Sequence, residues 1–232
     1  MLYQIKEFGV LIAMTLFIAA ICYGFYRYVP TQHNPFKPLS LTDPIGMATY
    51  SKLTDLKYDA DICKAALEEA GVEVAIIGPD DPGGRCSLDE TLTLKRSLTP
   101  YGAAPLRMTC HQIAALYIWE TQIARPLAEE LFGSPLRQIQ TFGSFSCRNI
   151  AGTRRRSQHS YANAIDISGF ILEDGRRISV LDHWQEDSAR GEYLRRVHEG
   201  ACRLFSVTFG PDYNAAHADH FHFDMGSAET CK

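Results

Sequence analysis

The first part of the chain contains one long apolar run. Residues Phe8 to Tyr26 carry no charged side chain over 19 positions. As a helix with a rise of 1.5 Å per residue, this run is about 28 Å long, close to the ~30 Å hydrocarbon layer of a membrane. A cleaved signal peptide has a shorter apolar region and a small-residue cleavage site, which is not evident here. The pattern predicts a membrane anchor over residues 1–28, with the transmembrane helix at 8–26.

A polar segment with several prolines follows the anchor. Pro30, Pro35 and Pro38 lie among polar residues, a composition typical of a semi-extended spacer. We therefore expect residues 29–52 to form a stalk and residues 53–232 to form the globular domain.

Within the domain, helical and strand periodicities follow one another. The pattern predicts helices over 59–69, 109–132 and 186–205, and strands over 72–77, 137–142, 164–170, 178–180 and 220–224. In the second helix, Thr109 is the predicted cap, Pro126 the predicted kink or break, and Gly133 the predicted end. The glycine- and proline-rich residues 78–84 are predicted to form a loop. The fold class is α+β, with a small, mostly antiparallel sheet and flanking helices after one transmembrane helix.

The last predicted strand alternates strictly between histidine and phenylalanine. Successive side chains of a strand point to opposite faces. His220 and His222 therefore share one face, and Phe221 and Phe223 anchor the other face in the core.

The strand at 164–168 has the same alternation. Ile165 and Ile167 are expected to face the core, and Asp166 the opposite side. If the two strands are neighbours, Asp166 and His222 come together. His159 lies in the polar loop that enters this strand and can fold back over the same face.

These residues have the composition of a mononuclear zinc site. A catalytic zinc takes three ligands from His, Asp, Glu or Cys and keeps a fourth position open. Three of the eight histidines lie within six residues, at His217, His220 and His222. We expect two histidines and one aspartate to be the ligands and Zn²⁺ to be the cofactor.

The spacing Ser157-x-His159-x6-Asp166, followed by His217-x2-His220-x-His222, resembles a group of zinc peptidases. The group includes lysostaphin, the D-alanyl-D-alanine carboxypeptidases, the penicillin-insensitive murein endopeptidase and the hedgehog signalling domain. The chain resembles more closely the bacterial proteins with an extensin-like C-terminal domain, from about Cys63 to Cys231. The blocks that carry this similarity are residues 71–74, 143–148, 164–170 and 210–214.

The resemblance implies a role for each histidine of the motif. His159, Asp166 and His222 would bind zinc, His220 would be the general base or would stabilise charge, and His217 would be a further active-site residue. In the carboxypeptidase branch the base is a glutamate three residues before the last ligand, where this chain has Asp219. Strand parity favours His220 over Asp219, and both stay open as the base.

Arg148 is the third candidate catalytic residue. It follows the predicted strand 137–142 in a short polar turn, eleven residues before His159. A cation there would neutralise developing charge or bind a substrate carboxylate. The alternative is an ordinary surface arginine.

The cysteine content indicates the compartment of the domain, and the net charge argues against nucleic acid as a partner. Outside the anchor, six cysteines without Cys-x2-Cys spacing indicate disulfides in an oxidising compartment, here the periplasm. Of fifteen possible pairings we predict the sequential set, Cys63–Cys86, Cys110–Cys147 and Cys202–Cys231. A net charge of −4 gives no basic field for nucleic acid.

The sequence thus predicts a single-pass protein of a bacterial inner membrane with its C-terminal domain in the periplasm. The expected function is that of a zinc-dependent peptidase acting on the stem peptides or cross-links of peptidoglycan. The alternative is a non-catalytic module that binds cell wall or protein around a structural or vestigial zinc. The presence of His217, His220 and His222 together favours the enzyme, because the coordination shell of a structural zinc is completed by a fourth protein ligand.

Overall fold

Two β-sheets and the helices between them form the domain. A computed structural model describes residues 2–76, 86, 88, 91–102 and 105–232. In chain order the helices are α1 (Leu2–Tyr28), α2 (Thr49–Asp55), α3 (Ala60–Glu69), α4 (Cys110–Trp119), α5 (Arg125–Phe132), α6 (Val180–His183) and α7 (Ala189–Ala201). The strands are β1 (Glu73–Ile76), β2 (Thr91–Arg96), β3 (Leu106–Thr109), β4 (Leu136–Gly143), β5 (Ala164–Leu172), β6 (Arg177–Ser179), β7 (Val207–Phe209), β8 (Phe221–Asp224) and β9 (Thr230–Cys231). The predicted α+β class is confirmed.

The larger sheet has the order β4-β5-β8-β7-β9, with β6 paired to β5. β8 pairs with the first half of β5 and β6 with its second half, both antiparallel. Gly175, with φ of +88°, turns the chain between β5 and β6, as the Asp174-Gly175 pair predicts. Only the short β7–β9 pairing is parallel among the described strands. The mostly antiparallel sheet is therefore confirmed, and β7 and β9 are additions to it.

The smaller sheet has the order β1-β2-β3 and is antiparallel. The sequence predicts only its first strand, as residues 72–77, of which the structure describes the first five and assigns Glu73–Ile76 to β1. The predicted loop over 78–84 lies outside the described residues.

One face of the larger sheet is covered by α4 and α7. The indole of Trp119 contacts the rings of Phe170 and Phe223, and its Nε1 donates to the carbonyl of Val197 in α7. Phe170, Phe223 and Trp119 are fully buried. Because this face is closed by the core, the polar side chains of β5 and β8 must point to the other face.

The long predicted helix is present with a change of geometry inside it. α4 continues through a π-helical turn, Glu120–Ala124, into α5, which ends at Gly133 with φ of +62°. Pro126 has no N–H to donate to the preceding turn, and the wider π turn lies directly before it. The predicted interruption and end of this helix are confirmed. The last helix, in contrast, is shorter than the predicted 186–205.

The N-terminal helix α1 contains a span, Phe8–Tyr28, that is long and apolar enough to cross a membrane. The segment predicted as a stalk makes contacts with the domain that follows it. Gln122 accepts from the backbone N–H of Ile45 and donates to the carbonyl of Asp43, and Leu41 belongs to the core. Residues 31–38 are tied to the same segment, because Lys52 Nζ donates to the carbonyls of Thr31 and Pro38 and the N–H of Ala48 donates to the carbonyl of Gln32.

The disulfide pairing differs from the sequential prediction. The bonds are Cys63–Cys110, Cys86–Cys147 and Cys202–Cys231, so only the last predicted pair is correct. Cys63 lies on α3, which packs beside the start of α4, and the Cα atoms of Cys63 and Cys110 are 6.1 Å apart. Spatial neighbours on packed helices decide the pairing, and the order of cysteines in the chain does not contain that information.

Glu120, in the π turn, is a fully buried carboxylate. It accepts hydrogen bonds from the hydroxyl of Ser97, the backbone N–H of Thr99 and the hydroxyl of Tyr101. Burial raises its pKa, and these hydrogen bonds offset part of that effect. Glu120 thereby fixes the segment that leaves β2 against the central helix.

We expect Glu120→Ala to lower the free energy of unfolding by about 2–4 kcal/mol, because three donors lose their acceptor inside the protein. Tryptophan fluorescence during urea denaturation of the detergent-solubilised chain measures this, since both tryptophans lie in the domain. The control is Glu129→Ala, which removes an exposed carboxylate from the same helical segment. A loss below about 1 kcal/mol for Glu120→Ala would contradict this role.

Candidate metal centre

The centre is built on two paired strands. Asp166 of β5 lies directly opposite His222 of β8 in the antiparallel register. Ile165 and Phe223, the next pair, are fully buried on the core side. The predicted parity of both strands and their adjacency are thus confirmed.

His159 reaches the same face from a short helical turn, Gln158–Tyr161. The hydroxyl of Ser157 caps this turn by accepting from the N–H of His159. Ala162 ends it with a left-handed backbone, φ of +51°, which returns the chain into β5. The predicted fold-back of His159 over Asp166 is confirmed.

Three side chains, with two ring nitrogens and both oxygens of one carboxylate, form a small triangle. His159 Nε2 lies 3.1 Å from His222 Nδ1 and 3.2 Å from Asp166 Oδ2, and His222 Nδ1 lies 3.0 Å from Asp166 Oδ1. Ligands held at about 2.0–2.1 Å around a tetrahedral zinc are separated by about 3.3 Å. The three side chains are therefore close enough to hold one zinc ion, since each offers one ligand atom within 4.8 Å of the other two. They are 4–14% exposed, so the triangle is largely buried.

Outer hydrogen bonds direct the histidine lone pairs inward. His159 Nδ1 lies 2.6 Å from the carbonyl oxygen of Ser144, which can only accept, so the proton is on Nδ1 and Nε2 is free for a metal. His222 Nε2 lies 3.0 Å from Asp224 Oδ2 and leaves Nδ1 toward the triangle. Asp224 is itself fixed by the N–H of Gly226. Such partners orient metal-binding histidines and strengthen them as ligands.

Asp224 is a residue that the sequence analysis does not identify. Its signal was present, because Asp224 follows His222 by two positions and so shares its face of β8. The Ser144 carbonyl has no such signal, since every residue carries one.

His220 borders the triangle without belonging to it. Its Nε2 lies 3.6 Å from Asp166 Oδ1, while its Nδ1 donates to Asp219 Oδ1 at 2.8 Å. Asp219 therefore fixes the tautomer in which His220 Nε2 carries a lone pair that faces the centre. The two candidate bases are hydrogen-bonded to each other, with His220 on the inner side.

His217 lies beside both His220 and His222, with its ring centroid 5.2 Å and 5.9 Å from theirs. Asn214 Oδ1 accepts from the N–H of Ala216, which identifies this atom as the oxygen, and His217 Nδ1 must donate to it. Burial and the neighbouring histidines lower the pKa of His217 to about 4. At neutral pH its Nε2 therefore has no proton to donate.

Arg148 is held near the centre by its backbone. Its N–H donates to the hydroxyl of Ser160, next to His159, and its carbonyl accepts from the same hydroxyl. The side chain is exposed and has no hydrogen bond or ion pair with the part of the chain that the structure describes.

Hydrogen bonds between Asp166 and the neighbouring histidines shift the pKa values in the centre in opposite directions. Burial favours the neutral His222 ring, but hydrogen bonds to Asp166 and Asp224 outweigh it and raise the pKa of His222 to about 9. Burial also opposes the charge on Asp166, and the hydrogen bonds from His159 and His222 outweigh that, so its pKa falls well below the usual range. Without a metal, the centre holds a proton on His222 at neutral pH.

A second group of ligand-type atoms, His198, Cys202 and Cys231, is not a metal site. Both sulfurs are joined in a disulfide and cannot act as thiolates.

Comparison with known proteins places the centre inside a matched region. The family model described as the C-terminus of extensin-like protein matches residues 61–232, which include every residue of the centre. No curated protein matches the chain.

We expect zinc binding to release about one proton at pH 7, because His222 must lose its Nδ1 proton to become a ligand. The released fraction should fall toward zero as pH rises past about 9, where His222 is already neutral. Isothermal titration calorimetry in buffers of different ionisation enthalpy measures it. Binding with no proton release at pH 7 would refute this protonation state.

We expect Asp224→Asn to weaken zinc binding by about 10- to 100-fold, because a neutral amide replaces the carboxylate that orients His222. Competition with a chromogenic chelator measures the affinity. The matched control is Asp187→Asn, the same change at an exposed residue outside the centre. Equal affinities for both variants would contradict the role of Asp224.

Proposed function

The chain belongs to the extensin-like C-terminal family, and we propose that its domain is a zinc-dependent peptidase acting on peptidoglycan stem peptides or cross-links. The observation that carries this proposal is the triangle of His159, Asp166 and His222 with His220 beside it. Three ligands with one open side are the arrangement of a catalytic zinc, whereas structural sites are closed by four protein ligands.

Hydrolysis of a peptide bond at neutral pH needs an activated water and stabilisation of the negative charge on the carbonyl oxygen. Zinc held by the triangle supplies a Lewis acid that acidifies water and polarises a carbonyl. His220 accepts the proton of the attacking water at Nε2 and delivers it to the leaving amine. Asp219 orients His220 and stabilises its charged form, as a carboxylate does for a catalytic histidine.

His217 is assigned a positioning role. With its Nδ1–H donated to Asn214 and its Nε2 unprotonated, it accepts a hydrogen bond from substrate or water and does not donate to an oxyanion. Arg148, whose backbone is hydrogen-bonded to the hydroxyl of Ser160 next to His159, carries a guanidinium that has no partner among the described residues. That cation is suited to a substrate carboxylate or to the charge that develops on the carbonyl oxygen.

The proposed location follows from α1 and the disulfides. A single apolar helix would anchor the chain in a bacterial inner membrane, and the three disulfide bonds fit an oxidising periplasm. This arrangement brings the domain to the compartment that contains peptidoglycan. A membrane-held peptidase would act on the part of the wall that lies within reach of its spacer.

We expect the zinc-loaded chain to release new muropeptides from purified sacculi, and His159→Ala to release none. His220→Ala should keep zinc but lose about 10²–10⁴-fold in rate, the usual contribution of general acid–base catalysis. Chromatography of the digests and metal analysis measure both effects.

Two outcomes would count against the peptidase. Zinc-loaded protein that leaves sacculi intact would favour the non-catalytic binding module. If His220→Ala removed zinc as completely as His159→Ala, His220 would be a fourth ligand, and the site would be structural.

A further inference from the structure

A groove begins beside His220 and extends along the same face of the larger sheet. Its volume is about 380 Å³, within the range of sites that hold small ligands or parts of chains. It is lined by residues of β4, β5, β6 and α6 and by Asp219. No residue of the zinc triangle lines it, so the groove is a separate space next to the centre.

Three residues connect the groove to the centre. Asp219 lines the groove and also accepts from His220 Nδ1. Phe142 lines it with its ring 5.7 Å from the ring of His220. Ser168 lines it two positions after Asp166 on the same strand face. A chain held in the groove would therefore continue directly to the metal centre.

The lining of the groove combines exposed apolar side chains with one arginine and two carboxylates, Asp182 and Asp219. Phe142 and Leu181 are 62% and 63% exposed, so two large apolar side chains face solvent where a ligand would cover them. The side chain of Arg177 lines the groove and has no ion pair or hydrogen bond with any described residue, whereas its neighbour Arg176 is paired with Asp174. Among the described residues, the guanidinium of Arg177 therefore has no partner of opposite charge.

The other ionisable groups of the groove are engaged or opposite in charge. Asp219 is bound to His220, and His183 contacts Ser179 through Nδ1 and Arg190 through Nε2. Asp182 also lines the groove and makes no ion pair with Arg177. The carboxylate of Asp182 disfavours a second acidic group on the ligand. The groove therefore suits a ligand with one carboxylate placed at Arg177.

We propose that this groove binds one arm of the peptide substrate and that Arg177 recognises a free carboxylate on that arm. Phe142 and Leu181 cover the aliphatic part of the same arm. The guanidinium donates two parallel hydrogen bonds to a carboxylate, which a carboxamide cannot accept in the same way. The inference rests on the proposed function and gives it a specificity residue: substrates are acidic peptides, read by charge at a fixed distance from the scissile bond.

The test measures binding without hydrolysis. The detergent-solubilised full chain, stripped of metal with a chelator, is titrated with synthetic peptidoglycan stem peptides by calorimetry. In a matched panel, each free carboxylate is replaced in turn by a carboxamide. We expect one replacement to weaken binding about tenfold, the effect of one charged hydrogen-bonding pair at a partly exposed site. Arg177→Gln should weaken binding of the acid by the same factor and leave binding of that amide unchanged.

Arg137→Gln is the matched control, because Arg137 is an exposed arginine on β4 that does not line the groove. It should bind acid and amide as the unmodified chain does, and Arg177→Lys should keep part of the preference for the acid. Unchanged zinc affinity in Arg177→Gln shows that the fold is intact. The proposal is overturned if Arg177→Gln weakens acid and amide equally, if it changes neither, or if no peptide binds.

The outcome is separable from that of the proposed function. Sacculi that are digested by a chain with no carboxylate preference would remove the groove proposal and keep the peptidase. Carboxylate-selective binding by a chain that digests nothing would remove the peptidase and keep the groove as a binding site.

Discussion

The backbone register between β5 and β8 is the constraint on which the centre depends. Because side chains alternate between faces, a slip of one residue would turn Asp166 or His222 into the core and separate them. The opposite face prevents this slip, since Ile165, Ile167 and Phe223 fill the core fully. A slip would expose these apolar side chains and bury charged ones, at a cost far above that of any single contact. The ligand geometry is thus enforced by hydrophobic packing on the other side of the sheet.

The same dependence explains why much of the site was predictable from sequence. Alternation in 164–168 and 220–224 specifies both faces of both strands, and a polar loop before β5 leaves His159 only one direction in which to fold back. The interruption of the long helix near Pro126 and its end at Gly133 were similarly predictable, because each follows from the backbone restrictions of a single residue type. Local rules were sufficient wherever one residue type restricts its own conformation.

Prediction failed where the determinant is non-local. The pairing of Cys63 with Cys110 depends on how α3 meets α4, and the pairing of β9 with β7 depends on how the C-terminal segment returns to the sheet. No local sequence pattern predicts either pairing. The contacts of Leu41 and Gln122 that hold the supposed stalk to the domain are of the same kind. Proline content predicted a semi-extended segment, but Thr31–His33 form a short 3-10 helix, and composition contains no information about the surface on which the segment packs.

Hydrogen bonds from the surrounding residues determine where the side chains of the centre carry protons and lone pairs. The carbonyl of Ser144 accepts a hydrogen bond from Nδ1 of His159, and Asp219 accepts one from Nδ1 of His220. Asp224 contacts Nε2 of His222. The other ring nitrogens therefore converge with the Asp166 carboxylate. Acceptors packed at 3.0–3.2 Å repel one another unless a positive charge lies among them. In the metal-free protein that charge is a proton on His222. A zinc ion would meet the same requirement with its two positive charges, so the arrangement that raises the pKa of His222 would also favour a metal in place of the proton.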